Sequence, residues 1–438
     1  VAFLRRKIVA LLASLALWGF ATSVYAQVKP LSWEDCVQEA AAHNPDLVAA
    51  ENLVIKAKAQ VGAARSDFFP EISGNAGYNA SNSANNSNFN PSSPITVDTG
   101  TRHQFQVGAT FNQNLFEGFK TVSSYDKSKV LVEEQEQNLR KVKSEVSADL
   151  KTAFARLLFL QQQIEVDKKI VERRDNNLRF INLRFEGGRE NKGSVMRSQA
   201  LLDQAKFNLS ETERGLKVGR RELSKVLGRD YSLPNDQVAV KGSFKTQLPK
   251  GPLDVPGITG VHPAHGVAQA QVGEAKQDVR IAKSNLYPAV DASASVTRRK
   301  FTGSNANDLF SAGVNLTYPF FTGGRDIYET KAARFEQYRL SENLRSTDNQ
   351  LALTLKQSYA DFKDAVDNIS VQEGFLKSAE TRAEIARSQY ANGLLSYQDW
   401  DQIENDLINN QQTILQSLRD ALIAEAAFEK AQGIGAIP

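Results

Sequence analysis

Along residues 310–318 apolar and polar positions alternate, with Phe310, Ala312, Val314, Leu316 and Tyr318 set between Ser311, Gly313, Asn315 and Thr317. A period of two predicts a strand with one apolar face. The same alternation runs through Ile72, Ala76, Tyr78 and Ala80, through Phe105, Val107, Ala109 and Phe111, and through Val290, Ala292, Ala294 and Val296. Four strands of about 9–11 residues are predicted, the length a tilted strand needs to cross a bilayer. The pairs end in similar stretches, "FNQNLFEGFK" at 111–120 and "NLTYPFFTGGR" at 315–325. Pro319 has no N–H for the ladder, and the glycines permit a sharp turn.

Beyond these turns the period changes. Leu351, Leu355, Tyr359, Phe362, Val366 and Ile369 recur at helical spacing, and no proline interrupts residues 119–184 or 325–389. Each stretch predicts a helix of about 65 residues, roughly 100 Å long. Gly187-Gly188 and Asn392-Gly393 break the two helices at matching points, and a second helix returns from each, giving two helical hairpins. Shorter helices are expected over about 32–67 and 258–286, where Asn44-Pro45 and His262-Pro263 suit helix starts.

These matches are an internal repeat. Shifting the chain by 205 positions lays Phe111 on Leu316, Phe116 on Phe321, Gly118 on Gly323, Phe185 on Tyr390 and Gly188 on Gly393. Upstream the shift is 218, pairing Pro45 with Pro263 and Phe69-Pro70 with Tyr287-Pro288. The difference is taken up by a Ser/Asn-rich segment in the first copy, "SNSANNSNFNPSSP" at 81–94, whose composition suits an exposed loop and not a core. The expected organisation is a signal peptide over 1–26, a first repeat over 27–230, a linker over 231–257 and a second repeat over 258–438. The signal is read from Arg5, Arg6 and Lys7 ahead of the apolar run 8–20 and the small-residue site "VYA".

Two strands per copy give four per chain. Open sheet edges are costly in lipid, because unpaired backbone groups there lose their hydrogen bonds. Four strands cannot close a useful barrel, so the strands predict an oligomer, and three chains would supply twelve. A water-soluble antiparallel sheet would show the same alternation. Aromatics at the strand ends favour the membrane reading.

Composition removes other classes. Lysine and arginine total 53 against 50 acidic residues, a net charge of +3 that argues against nucleic acid as a partner. The single cysteine, Cys36, excludes an internal disulfide and a Cys-based zinc site, and the single methionine leaves no soft-metal relay. "GRENKGS" at 188–194 has phosphate-loop spacing, but Ser194 stands where the lysine belongs and the stretch follows a helix. His262 and His265 have no third ligand nearby, and His262 is read as a helix start. No catalytic set declares itself, so neither an enzyme nor a cofactor is expected.

The duplicated strand–strand–hairpin unit resembles the TolC family of outer-membrane efflux and secretion channels. The stretches carrying the resemblance are "NLFEGF", "YPFFTGG", "RFEGG" at 184–188 and "YANGLLSYQD" at 390–399. It implies a mainly α fold with membrane β, in which a trimeric twelve-stranded β-barrel continues into a periplasmic α-helical barrel. It also implies a homotrimer in outer-membrane lipid, acting as the exit duct of a tripartite efflux pump or type I secretion system. Its partners would be a periplasmic adaptor and an inner-membrane transporter of the RND, ABC or MFS type. A periplasmic structural or adaptor coiled-coil protein and a stand-alone porin are the alternatives.

The resemblance assigns adaptor contacts to the hairpin tips at Gly187, Gly188, Arg189, Gly393, Leu394 and Ser396, and the periplasmic gate to Asp399, Tyr390 and Gln402. Asp399 matches an acidic ring. Gln402 stands where the family often has a second Asp, while Leu395 and Ser194 occupy positions where Arg and Asp can form a lock. The spacing of Ser396 and Asp399 independently reads as a capping box opening the return helix.

Overall fold

The computed structural model describes residues 30–82, 101–230, 238–249 and 251–438. The expected signal peptide and residues 83–94 of the Ser/Asn-rich segment lie outside the described residues. In chain order the elements are α1 (Trp33–His43), α2 (Pro45–Ser66), β1 (Glu71–Asn82), β2 (Thr101–Glu117), α3 (Lys120–Glu186) and α4 (Lys192–Val226). Then follow α5 (Val255–Val261), α6 (Pro263–Ser284), β3 (Ala289–Phe301), β4 (Asn307–Thr317), α7 (Arg325–Ala391) and α8 (Tyr397–Ala431). The chain is mainly helical, and its copies correspond in length. α3 and α7 have 67 residues each, α4 and α8 have 35, and α2 and α6 have 22. Among the described residues no helix is long and apolar enough to cross a membrane.

Each expected short helix is split in two by its proline, because the residue before proline is driven out of the helical region. Asn44 (φ −64°, ψ 123°) and His262 (φ −66°, ψ 135°) are extended and cap the helices that follow. Asn44 Oδ1 accepts from the Asp46 and Leu47 N–H groups at 2.9 and 3.2 Å, and His262 Nδ1 accepts from the Ala264 N–H at 3.1 Å. An imidazole nitrogen can accept only while unprotonated. Burial holds the His262 pKa below its ordinary value, which favours that state. His262 is therefore a cap, and His265 Nδ1 meets Asp348 Oδ1 at 2.7 Å. No cluster of potential metal ligands occurs among the described residues.

The chain divides into two compact units. Among the described residues, one takes in 30–36, 156–225, 229–230 and 238–243. Its hairpin, built from the later part of α3 and most of α4, encloses Leu157, Ile181, Leu202, Ala205 and Leu223. Inside it the buried Asp167 carboxylate accepts from Gln163 Nε2 and Thr212 Oγ1, each at 2.7 Å. Gln161 holds the Val240 peptide with two bonds of 2.9 Å, and Leu31 pairs beside Val240.

Among the described residues, the other unit holds 37–82, 101–155, 226–228, 244–249 and 251–438, and with them all four strands of the sheet. In it α7 and α8 pack through Leu355, Phe362, Phe428 and Ala431, with Phe362 and Phe428 rings 5.9 Å apart. Nearer the tip the contact narrows to Ala379, Ala383 and Leu407. Lys151 joins Glu425 and Glu429 of α8 at 2.8 and 2.9 Å.

The strands form one antiparallel sheet in the order β1-β2-β3-β4, so the two copies are joined through β2 and β3. They span 12, 17, 13 and 11 residues, longer than expected except for β4. β2 and β3 extend because each is paired on both sides, so their ends find partners that alternation alone does not reveal. Tyr318 falls just past β4, where Pro319 ends pairing. One face carries Ile72, Tyr78, Phe105, Val107, Val296, Phe310 and Val314, each exposed, with Phe310 78% and Val314 69% accessible.

At the handover to helix a β-bulge in β2 leaves Leu115 unpaired between Asn114 and Phe116. The extra residue reverses the alternation and turns Phe116 to the apolar face, opposite Val290. Phe116 then meets Phe119 edge to face at 5.3 Å, and Phe119 meets Tyr287 at 6.4 Å. Gly118 (φ 58°) leaves no room for a side chain, since a Cβ would stand 2.5 Å from the Ser284 carbonyl oxygen. Phe119, at φ 68°, is the only non-glycine with positive φ among the described residues; the second copy places Gly324 there. In the second copy Phe320 and Phe321 are 89% and 88% exposed, with Phe320 4.9 Å from Tyr318. The rings form a belt where sheet gives way to helix.

Between α6 and the early part of α3, Gln271 Nε2 donates to Glu134 at 2.9 Å and Lys127 pairs with Asp278 at 2.7 Å. Burial, and then the neighbouring Glu134, push the Glu274 carboxyl from 4.5 up to about 7. A folded pKa above the unfolded one stabilises the fold fully below 4.5, and that contribution is lost as pH rises through about 7. Glu274→Gln removes the penalty. Its unfolding temperature is expected to match the native chain near about pH 4 and to exceed it above about pH 7. A thermal-melt series across that range checks this, and a variant no more stable than the native chain at high pH would contradict it.

Candidate functional site

The two hairpin tips have the same backbone. At the second, α7 closes with Gly393 in the left-handed region (φ 77°). The Gly393 N–H donates to the Tyr390 carbonyl at 3.1 Å and the Leu394 N–H to the Gln389 carbonyl at 2.9 Å, a Schellman pair. At the first, Gly188 (φ 68°) donates to the Phe185 carbonyl at 3.0 Å and Arg189 to the Arg184 carbonyl at 2.8 Å. Glycine is required at both because a Cβ disfavours that conformation.

Both return helices open on side-chain caps. Ser396 (φ −75°, ψ 157°) caps α8. Its Oγ accepts from the Asp399 N–H at 3.2 Å and donates to Asp399 Oδ2 at 2.6 Å. The carboxylate also lies in the helix's first turn, where the macrodipole favours negative charge. At the first tip Asn191 Oδ1 accepts from the Ser194 N–H at 3.0 Å, and Ser194 Oγ donates to Glu190 Oε1 at 2.9 Å. The 188–194 stretch thus links two helices. Asn191 is a site residue that motif reading passed over, although Asn directly before a helical run carries a cap signal.

The chemistry of the tips differs. The first presents Arg189, Glu190 and Lys192 within four positions; the second has no charged residue between Ala391 and Gln398, and its Leu394 is 78% exposed. Asp399 and Gln402 are both exposed, and Gln402 Nε2 donates to Asp406 Oδ1 at 2.9 Å. Tyr390 is elsewhere. It is 1% exposed and lies flat on Trp400, ring centroids 4.7 Å apart and planes 6° from parallel. Tyr397 closes the cluster at 6.4 Å from Tyr390 and 6.3 Å from Trp400. Asp399 and Gln402 therefore share an exposed surface of α8, and Tyr390 braces α8 from inside the hairpin. Trp400 was the missed partner; Tyr397 and Trp400, three apart on one helix, were its signal.

The family model for outer membrane efflux proteins matches residues 36–229 and 262–433. The cation efflux system protein CusC of Escherichia coli (strain K12) is 21% identical over 404 residues, covering 89% of this chain and 82% of that protein. Among solved structures, the outer membrane protein VceC of Vibrio cholerae has a TM-score of 0.78 at 20% identity, covering 92% of this chain and 96% of that one. The CmeC outer membrane channel of Campylobacter jejuni has a TM-score of 0.79 at 16% identity, covering 91% of this chain and 85% of that one.

Proposed function

Because this chain belongs to the outer membrane efflux protein family, we propose that it is the outer-membrane exit duct of a tripartite efflux pump or a type I secretion system. The observation that carries this reading is the sheet. It has two open edges, β1 and β4, and an apolar face that is exposed among the described residues. Lipid satisfies the face, and neighbouring copies satisfy the edges. Three chains of four strands close a twelve-stranded barrel, with the polar face lining the passage. The belt of Phe116, Phe119, Tyr287, Phe320 and Phe321 then marks the periplasmic boundary of the membrane. The long hairpins carry the passage into the periplasm.

In this reading the tips at Gly187, Gly188, Arg189, Gly393, Leu394 and Ser396 receive a periplasmic adaptor. The adaptor links the duct to an RND, ABC or MFS transporter, which selects the cargo. Asp399 and Gln402 line the entrance, and Tyr390 sets the angle of the helix that bears them. The oligomer is tested by the native mass of the detergent-solubilised protein. A mass of three chains supports the duct, and a detergent-free monomer in the periplasm contradicts it.

Asp399 gives the entrance its charge. Asp399→Asn keeps the backbone N–H donated to Ser396 and an oxygen to accept from it, so the cap survives while the ring of charge is lost. Acidic rings favour cations. Single-channel recordings are expected to show reduced cation preference in the Asn variant and native preference in Asp399→Glu. Unchanged selectivity with a lower melting temperature would assign Asp399 to capping alone.

A further inference from the structure

The apolar face of the sheet carries charge at one level, near the strand ends farthest from the long helices. Residues paired directly across a ladder share a face. Lys300 lies opposite Phe105 and Arg298 opposite Val107, so both cations stand among the exposed apolar side chains. Arg298 is answered within the chain, its Nε and Nη2 meeting Asp308 Oδ1 and Oδ2 at 2.8 and 3.0 Å. Lys300 is exposed and has no anionic partner among the described residues.

Three rings cluster across the ladder from it. Tyr78 lies opposite Phe105 with ring centroids 4.9 Å apart, and it stacks on His103 at 5.8 Å. The Tyr78 hydroxyl is 2.6 Å from His103 Nδ1. With the hydroxyl donating to that nitrogen, Nε2–H remains as a donor. An ammonium with a long apolar stem, aromatic walls and a free N–H make an amphipathic surface suited to the water–lipid boundary.

We infer that Lys300, with His103 and Tyr78 beside it, binds the phosphate of a lipid headgroup in the leaflet facing the cell exterior. The inference rests on the outer-membrane reading above. A charge on a lipid-facing strand is costly at mid-bilayer and nearly free at the interface, which fixes the depth of Lys300. Arg298 brings its counterion with it, whereas for Lys300 the anion comes from the membrane. The surrounding face selects an anion attached to acyl chains, since Phe105, Val107 and Tyr78 are exposed and apolar. The patch is complete within one chain because β1, β2 and β3 are consecutive in the sheet.

The test is native mass spectrometry of the purified full-length protein in detergent, with diphosphoryl lipid A or its dephosphorylated counterpart added at equal concentration. Wild type is expected to retain the phosphorylated lipid about fivefold more strongly, the effect of one cation near a charged surface. Lys300→Gln should remove that preference and Lys300→Arg keep it. Arg299→Gln, opposite Gln106 on the other face, should leave it unchanged. Excess inorganic phosphate should not displace the lipid. A Lys300→Gln protein with the wild-type preference, or a site filled by inorganic phosphate alone, overturns the inference. The same spectra report oligomer mass, so correct assembly without lipid preference would fail this inference and leave the duct intact.

Discussion

Val314→Arg is expected to abolish assembly in the outer membrane, while Asn112→Arg is tolerated. Val314 stands on the exposed apolar face opposite Ala292, between the level of the Arg298–Asp308 pair and the ring belt. A guanidinium there costs about 2–4 kcal/mol at mid-bilayer, and each copy of the proposed trimer adds its own penalty. That total rivals the marginal stability of a folded domain, about 5–15 kcal/mol. Asn112 lies on the polar face, opposite Ser293 and Glu71, where an arginine would meet water in the passage. Membrane fractionation and oligomer mass of the two variants check this. Equal assembly of both would mean that the sheet stays in water.

Trp400→Ala is expected to open the second hairpin at its tip without unfolding the rest. Trp400 is 2% exposed and is the base on which Tyr390 lies. Removing a buried tryptophan side chain typically costs about 3–5 kcal/mol. Beyond the tip, α7 and α8 are held by the separate contacts of Ala383 with Leu407 and of Phe362 with Phe428, so the loss stays local. The consequence follows from Asp399 and Gln402, which lie one turn or less from Trp400 on the same helix. Once α8 loses its brace, those side chains no longer hold a fixed radius around the proposed entrance. The variant should be cleaved faster by protease within residues 391–397 and should pass larger solutes across the outer membrane. Trp400→Phe should behave like the native chain. Faster cleavage throughout α7 and α8 would contradict a local role.

Much of this architecture is written in periodicity. The 205-residue shift predicts two equal hairpins because glycine must recur wherever a left-handed residue closes a helix, as at Gly188 and Gly393. The caps at His262 and Ser396 were legible for the same reason, since capping is local chemistry. What escaped the sequence is set by pairing between distant segments. The bulge at Leu115 depends on the register of β2 against β3, which local alternation does not encode. The left-handed Phe119 is held by its neighbours and not by its own preference, as the glycine in the second copy makes plain. The stacking of Tyr390 on Trp400 likewise joins residues across the turn, which local pattern does not encode.

The central claim is that this chain assembles into a water-filled passage through a membrane. Electrical recording of the purified, full-length, wild-type protein across a planar lipid bilayer tests it most directly. The account predicts discrete conductance steps that appear only when protein is added and that favour cations. A protein that inserts without conducting, or that never leaves the aqueous phase, would contradict it.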